Sequence, residues 1–167
     1  MDACFSCSVR CKKVVQIEQS EANAGVTRKG VKVQADPQGR YRVDPRYGGP
    51  EYESLASLGA NLNVDDLVAI CKANEMCNYL GMDSISAGST IGWAMEAYER
   101  GLITPEDTDG EPMRFQNGDD VVKWLEKIAF REGYGDVLAE GSSRVAKQVG
   151  MGSEQFLSTV KGVEMGM

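Results

Sequence analysis

The stretch Asn63-Val64-Asp65-Asp66-Leu67-Val68-Ala69-Ile70-Cys71-Lys72-Ala73-Asn74-Glu75-Met76-Cys77-Asn78-Tyr79-Leu80-Gly81 decides the fold. Val64, Leu67, Val68 and Cys71 recur at helical spacing, and Ile70, Ala73, Cys77 and Leu80 widen the apolar surface. Asn63 suits an N-cap, Asp65 and Asp66 suit the positive end of a helix, and Gly81 marks its stop. A helix this apolar is expected to be largely buried. Downstream, a second helix is expected from Ser84 to Arg100, ending at Gly101. Its opening run Ser86-Ala87-Gly88-Ser89-Thr90 is small throughout, so a neighbouring backbone can come close, and it is read as helix packing rather than a cofactor wall.

Thr104-Pro105 begins a short helical turn, Asp109-Gly110 gives a turn, and Met113 to Phe115 reads as extended. Asn117 then caps a third helix with Asp120 at N3, an apolar face of Val121, Val122, Leu125, Ile128 and Ala129, and a stop at Gly133. Asp136 is expected to cap a fourth, with Val137, Leu138, Val145 and Val149 inward and Gly141 inside the pattern. Ser153 to Met167 reads as a short turn and an extended tail. Upstream, Glu18 to Gly25 reads as a loop. Val31 and Val33 alternate with Lys32, Asp36-Pro37-Gln38-Gly39 turns the chain, and Tyr41 and Val43 resume the alternation as a hairpin. Asp44 to Gly49 suits an irregular link. The expected architecture is mainly α, a multihelical domain with a small β-hairpin near the N-terminus. Residues 1–47 form the cysteine-bearing segment and hairpin, and 48–167 the helical domain, one structural domain overall.

The 167 residues are enough for one ordinary core. Histidine is absent, which excludes Ser-His-Asp or Cys-His catalysis within these residues and any zinc site that needs imidazole. A net charge of −7 argues against a nucleic-acid surface. No apolar run approaches the roughly 18 residues of a membrane span, and Met1 to Val9 lacks a secretory h-region, so a cytoplasmic location is expected.

The five cysteines are unevenly placed: Cys4, Cys7 and Cys11 lie together, far from Cys71 and Cys77. An odd number in a chain without a secretory signal argues against a disulfide framework. Cys4-x2-Cys7-x3-Cys11 can aim three thiolates at one centre, as iron–sulfur clusters require, with structural zinc and incidental thiols as the other readings. A cubic cluster takes four ligands, and the fourth can be Cys71, Cys77 or a residue outside the chain. Cys71 and Cys77 project about 120° apart on a helix, so at most one could face a cluster, and both are expected to pack as small hydrophobes. Arg10, Lys12 and Lys13 either offset the cluster's negative charge or form an ordinary solvated run.

Further motifs follow the cysteines in a fixed order. They are Gly48-Gly49-Pro50-Glu51-Tyr52-Glu53-Ser54, Ala73-Asn74-Glu75-Met76-Cys77-Asn78, Gly81-Met82-Asp83-Ser84-Ile85-Ser86, Ala94-Met95-Glu96, Tyr98-Glu99-Arg100-Gly101, Glu126-Lys127-Ile128-Ala129, Gly135-Asp136 and Leu138-Ala139-Glu140-Gly141. In this order, behind Cys-x2-Cys-x3-Cys, the chain resembles the tungsten-pterin aldehyde ferredoxin oxidoreductase family. The resemblance is strongest from Gly48 to Gly141 and implies the multihelical fold of that family's C-terminal-domain type. It also implies a [4Fe–4S] cluster beside tungsten (or molybdenum) bound by two pterins, with ferredoxin as electron acceptor and an aldehyde or related oxo substrate. Cys4, Cys7 and Cys11 match the first three cluster ligands, the fourth lying downstream of this chain in the family. Asn78-x-x-Gly81-Met82-Asp83 resembles a pterin-contacting motif of the type Asp-x-x-Gly-Leu-Asp/Cys, with asparagine and methionine as departures. Asp83 would be the stronger contact, because its carboxylate can accept two N–H groups, and Asn78 can offer its amide oxygen. Asp83 can also cap the helix that starts at Ser84, and the two roles can coexist. Glu53 matches a family glutamate near the metal, where an acid can move a proton, the other reading being a carboxylate paired with a nearby base. Glu75 and Glu96 are read as rim or paired carboxylates. The resemblance further implies a middle piece of a longer enzyme, inactive by itself. A stand-alone iron–sulfur electron-transfer module and a zinc-stabilised helical binding protein are the rival readings.

Overall fold

The computed structural model describes residues 8, 10–19, 27–28 and 31–166. The first element, β1 (Gln16–Glu18), runs parallel to β3 (Val31–Ala35), and β2 (Thr27–Arg28) pairs antiparallel with β3, giving the sheet order β1-β3-β2. The hairpin is therefore present, but it joins β2 to β3, upstream of the expected Asp36–Gly39 turn. That turn does form: the Asp36 carboxylate accepts the N–H groups of Gln38, Arg40 and Tyr41. It delivers Val43 to Ile17 instead of back to β3, the two exchanging backbone bonds of 3.2 and 2.9 Å. Burial explains the choice, because Ile17, Val43 and Cys71 close a small apolar cluster at 3%, 1% and 2% exposure. Of the expected loop from Glu18 to Gly25, Glu18 ends β1, and residues 20–25 lie outside the described ones. The expected link at Asp44 to Gly49 contains a 3-10 turn, Pro45–Tyr47, capped by Asp44.

The helical body has α1 (Tyr52–Leu58), α2 (Leu67–Leu80), α3 (Ser84–Glu99), α4 (Gly118–Phe130), α5 (Tyr134–Leu138) and α6 (Ser142–Val149). Helix α2 starts later than expected. Asn63 is the left-handed end of a 3-10 turn, Ala60–Leu62, with φ 53°, and its N–H is spent on Ala60 O at 3.1 Å. Asp66 caps α2 instead, its Oδ1 accepting the N–H groups of Val68 and Ala69 at 3.0 and 3.2 Å. Asn117 caps α4 as expected, accepting from Asp119 and Asp120. That helix stops at Phe130, because Arg131 turns left-handed at φ 55° before Gly133 is reached. The expected fourth helix is two. Asp136 lies inside α5 and pairs with Arg131 instead of capping, and Gly141 at φ 86° separates α5 from α6. The tail makes a 3-10 turn, Ser153–Phe156, and a hairpin of β4 (Thr159–Val160) with β5 (Val163–Glu164).

The main core lies between α1, α2, α3 and α4. Leu58, Leu62, Ile91, Met95, Trp124 and Leu125 are fully shut off from solvent, and each such burial contributes about 1.5–3 kcal/mol. The small run on α3 is packing, as expected: a Cβ on Gly88 would lie 2.6 Å from Ser57 O, so α1 can approach only because Gly88 has none. Arg40 ties the β-segment to this body, reaching Asp66 at 2.6 Å and Asp119 at 2.8 Å, before α2 and at the start of α4.

Candidate active-site corner

Cys11 reaches the helical body because of two glycines. A Cβ on Gly48 would overlap Lys12 Cε at 2.2 Å, and one on Gly49 would lie 2.6 Å from Val15 Cγ2. With only hydrogens there, the segment Cys11 to Val15 lies flat on the turn, and Gly49 N–H donates to Lys13 O at 2.6 Å. Pro50 then leads to Glu51, which caps α1: Oε1 accepts Ser54 N–H at 2.8 Å and Oε2 accepts Glu53 N–H at 3.1 Å. The half-buried Cys11 places its Sγ 3.9 Å from the same Oε2. Cys4 and Cys7 lie outside the described residues.

From Glu51 a hydroxyl chain runs to the next helix. Ser54 O–H donates to Glu51 Oε1 at 3.1 Å, and Ser54 Oγ lies 2.8 Å from Ser84 Oγ. Ser84 opens α3, and the residue before it, Asp83, is the cap of α3: Oδ1 accepts Ile85 N–H at 3.1 Å and Oδ2 accepts Ser86 O–H at 2.9 Å. Asp83 thus performs the capping role foreseen for it. Each of its oxygens retains a second lone pair, and the residue is exposed, so outside N–H donors can still be accepted. Met82 N–H donates to Cys77 O at 2.9 Å across Gly81, which fixes the turn between α2 and α3. Asn78 is exposed and spends an amide N–H on Asn74 O at 2.9 Å, so its amide oxygen remains the acceptor. Met82, Asp83, Ser86, Thr90 and Gly141 line a groove of about 190 Å³.

The chain returns to this corner at its far end. Glu164 on β5 accepts the N–H and O–H of Ser142 at 2.9 and 2.7 Å and the Thr90 hydroxyl at 3.2 Å. Burial raises its carboxyl pKa, but the Ser142 bonds, its own backbone N–H and the Ser86 hydroxyl outweigh that, so the net shift is downward. Two residues on, Gly166 packs against Glu53: a Cβ there would be 2.6 Å from Glu53 Oε2. Cys11, Glu53 and Asp83 therefore share one corner of the molecule. Glu51 and Glu164 hold it together, and neither stands out in the sequence. The one local signal for Glu51 is a serine three residues on, at capping distance; Glu164 has none, because its partners are 22 and 74 positions away.

The other sulfurs are elsewhere. Cys71 sits in the small cluster with Ile17, and Cys77 in the main core. Burial, with Asp66 nearby, pushes the Cys71 thiol up to about 11, and burial, with Asp83 nearby, pushes Cys77 to about 12. Both pack as small buried hydrophobes, as expected. Glu75 and Glu96 are paired as expected, with Lys72 and Arg100. Among the described residues, no group of three or more His, Cys, Asp or Glu is arranged to hold a metal ion. The donor set that suits a cluster is the N-terminal cysteine trio, of which Cys11 is the described member. Its position on the Gly48–Gly49 turn, beside Glu51, is compatible with that use.

The sequence pattern of the family described as aldehyde ferredoxin oxidoreductase, domains 2 and 3, matches residues 1–167. The chain belongs to the aldehyde ferredoxin oxidoreductase family. This oxidoreductase-family chain is 49% identical over 129 residues to the tungsten-containing aldehyde ferredoxin oxidoreductase of Pyrococcus abyssi, covering 74% of this chain and 21% of that one. The tungsten-containing aldehyde ferredoxin oxidoreductase of Thermococcus kodakarensis is 44% identical over 131 residues, 76% of this chain and 21% of that protein. A relative of another name, the aliphatic sulfonate oxidoreductase, WOR-like subunit, of Pyrococcus furiosus, is 33% identical over 121 residues, covering 70% of this chain and 19% of that one. The family chain thus spans about a fifth of the length of the curated relatives it matches (21% of the first). Among solved structures, the active site complex BamBC of benzoyl coenzyme A reductase with 1,5-dienoyl-CoA superposes with a TM-score of 0.60 at 22% identity. The match covers 84% of this chain and 21% of that one, a likeness of fold. The mainly α, multihelical architecture is that of the family. No helix among the described residues is long and apolar enough to cross a membrane.

Proposed function

We propose that this chain forms the cluster-bearing, pterin-contacting part of a longer cytoplasmic enzyme that oxidises aldehydes, or a related oxo substrate, and passes the electrons to ferredoxin. Residues 1–47 and 48–167 act in it as one structural domain. The observation that carries the reading is the meeting of Cys11, Glu53 and Asp83 at one corner of a chain that matches the family throughout. Tungsten held by two pterins supplies the two-electron oxidation when bound. Asp83, with the amide oxygen of Asn78, accepts the N–H groups of the pterin's amino-pyrimidine edge, and the Gly81-Met82 turn sets their spacing. Cys4, Cys7 and Cys11 hold three corners of a [4Fe–4S] cluster, the fourth ligand lying outside this chain. The balance is one aldehyde and one water giving one carboxylic acid, two protons and two electrons, the electrons leaving singly to two ferredoxins. Glu53 takes up one of those protons at a carboxylate oxygen and returns it to water.

Metal, iron and acid-labile sulfide analysis of the holoenzyme, combined with aldehyde-dependent reduction of a viologen dye, tests the reading. Tungsten with four irons and sulfides, and turnover in the holoenzyme but not in these 167 residues alone, is the expected result. Iron without tungsten would favour an electron-transfer module, and zinc in place of iron a structural site.

A further inference from the structure

Glu51 occupies a junction that the family motifs leave without a role. Its Oε2 lies 3.9 Å from Cys11 Sγ, and its two oxygens accept Glu53 N–H, Ser54 N–H and Ser54 O–H. Three donors therefore fix the carboxylate where it is, and it cannot swing into solvent without leaving them unpaired. Because Ser54 gives its proton to Glu51, the 2.8 Å contact with Ser84 must run the other way, Ser84 donating to Ser54. The carboxylate is thereby braced against the first residue of α3 as well as against α1. Lys12 brings the opposite charge to the same corner, its side chain crossing Gly48 close enough that a Cβ there would lie 3.0 Å from Nζ.

We propose that Glu51 is a positioning residue for the redox centre: it holds a fixed negative charge beside the Cys11 sulfur and so lowers the reduction potential of the cluster. The inference rests on the reading that Cys11 is a cluster ligand. Adding an electron makes a thiolate-bound cluster more negative, and an anion a few ångströms from one of its sulfurs opposes that addition. The opposition is stronger in a partly buried setting than in water. Lys12 acts in the other direction, favouring the reduced form.

The test is an EPR-monitored redox titration of the holoenzyme and its variants, with dithionite supplying one electron to the cluster and no bond made or broken. Glu51→Gln should shift the midpoint potential upward, whereas Glu51→Asp, which keeps the charge, should stay near the wild type. Lys12→Gln, which removes no helix cap, should shift the potential downward. Glu126→Gln, on the exposed face of α4, should leave the potential unchanged and so controls for net charge. Equal shifts in the Gln and Asp variants of Glu51, or a Lys12→Gln value no different from that of Glu126→Gln, overturn the proposal. Wild-type enzyme without iron and sulfide removes the functional reading itself, and this inference with it.

Discussion

Around Trp124 the molecule is apolar: Leu62, Ile91, Met95 and Leu125 belong to the same buried cluster, and the indole N–H is satisfied by Pro112 O at 3.0 Å. Around Glu51 the contacts are polar: Cys11, Glu51, Ser54 and Ser84 follow one another in contact, and Asp83, the neighbour of Ser84 in the chain, accepts from Ser86. The first region needs only shape and hydrophobicity, so it carries the stability. The second holds acceptors in fixed places and gains little from burial, so it depends on the first to keep its parts in register. The same residue type shows the division: Cys77 is locked in the core and protonated, while Cys11 is half-buried at the corner.

Five measurements test this contrast. The largest effect is expected from Trp124→Ala, which should destabilise the chain by about 3–5 kcal/mol in urea unfolding, since it empties a fully buried site. A loss below about 1 kcal/mol would mean that the core is not where the stability resides. Next, Cys77→Ser should cost about 1–3 kcal/mol by burying a hydroxyl, yet leave iron content unchanged, whereas Cys11→Ser should lower iron content. In native protein without metal, iodoacetamide should label Cys11 and spare Cys77 until the chain unfolds; early labelling of Cys77 would erase the distinction.

A smaller, pH-dependent effect belongs to Glu164. Its pKa is lower in the folded chain than the ordinary 4.5, so its contribution is fully present above that value and is lost as pH falls through the folded one. Glu164→Gln should therefore reduce stability at neutral pH and flatten the acid limb of the stability profile below about pH 4.5. An unchanged acid limb would show that the β4–β5 hairpin is not held by this carboxylate. The smallest effect is expected from Arg144→Ala, which breaks a 3.7 Å pair between exposed groups and should change unfolding by less than about 0.5 kcal/mol.

Much of the helical body is legible in the residues. The 3.6 period of α2 and α4, the Asn117 cap and the small face of α3 at Gly88 act within one or two turns, so their signals stand next to the structure they produce. The asymmetric cysteines likewise announce a trio and two core residues, and the buried positions of Cys71 and Cys77 agree. Where neighbouring turns compete, the local signal misleads. Asn63 and Asp66 are both good caps, and the 3-10 turn at Ala60–Leu62 claims the first, leaving α2 to begin at the second. A valine alternation fits a hairpin equally well with either neighbour, and only the closure of Ile17 and Cys71 around Val43 selects β1.

By itself, then, the sequence determined a mainly helical chain, its principal helices, its three-cysteine motif and Asp83 as a residue placed to cap α3. Tertiary structure alone decided that Cys11 lies beside Glu51, that Ser54 meets Ser84 and that Glu164 and Gly166 return to Thr90 and Glu53. The physical reason is separation along the chain. Helix periods and caps are interactions between residues a few positions apart, while these contacts join residues 30 to 74 or more apart and leave no pattern in either segment until the core has folded between them.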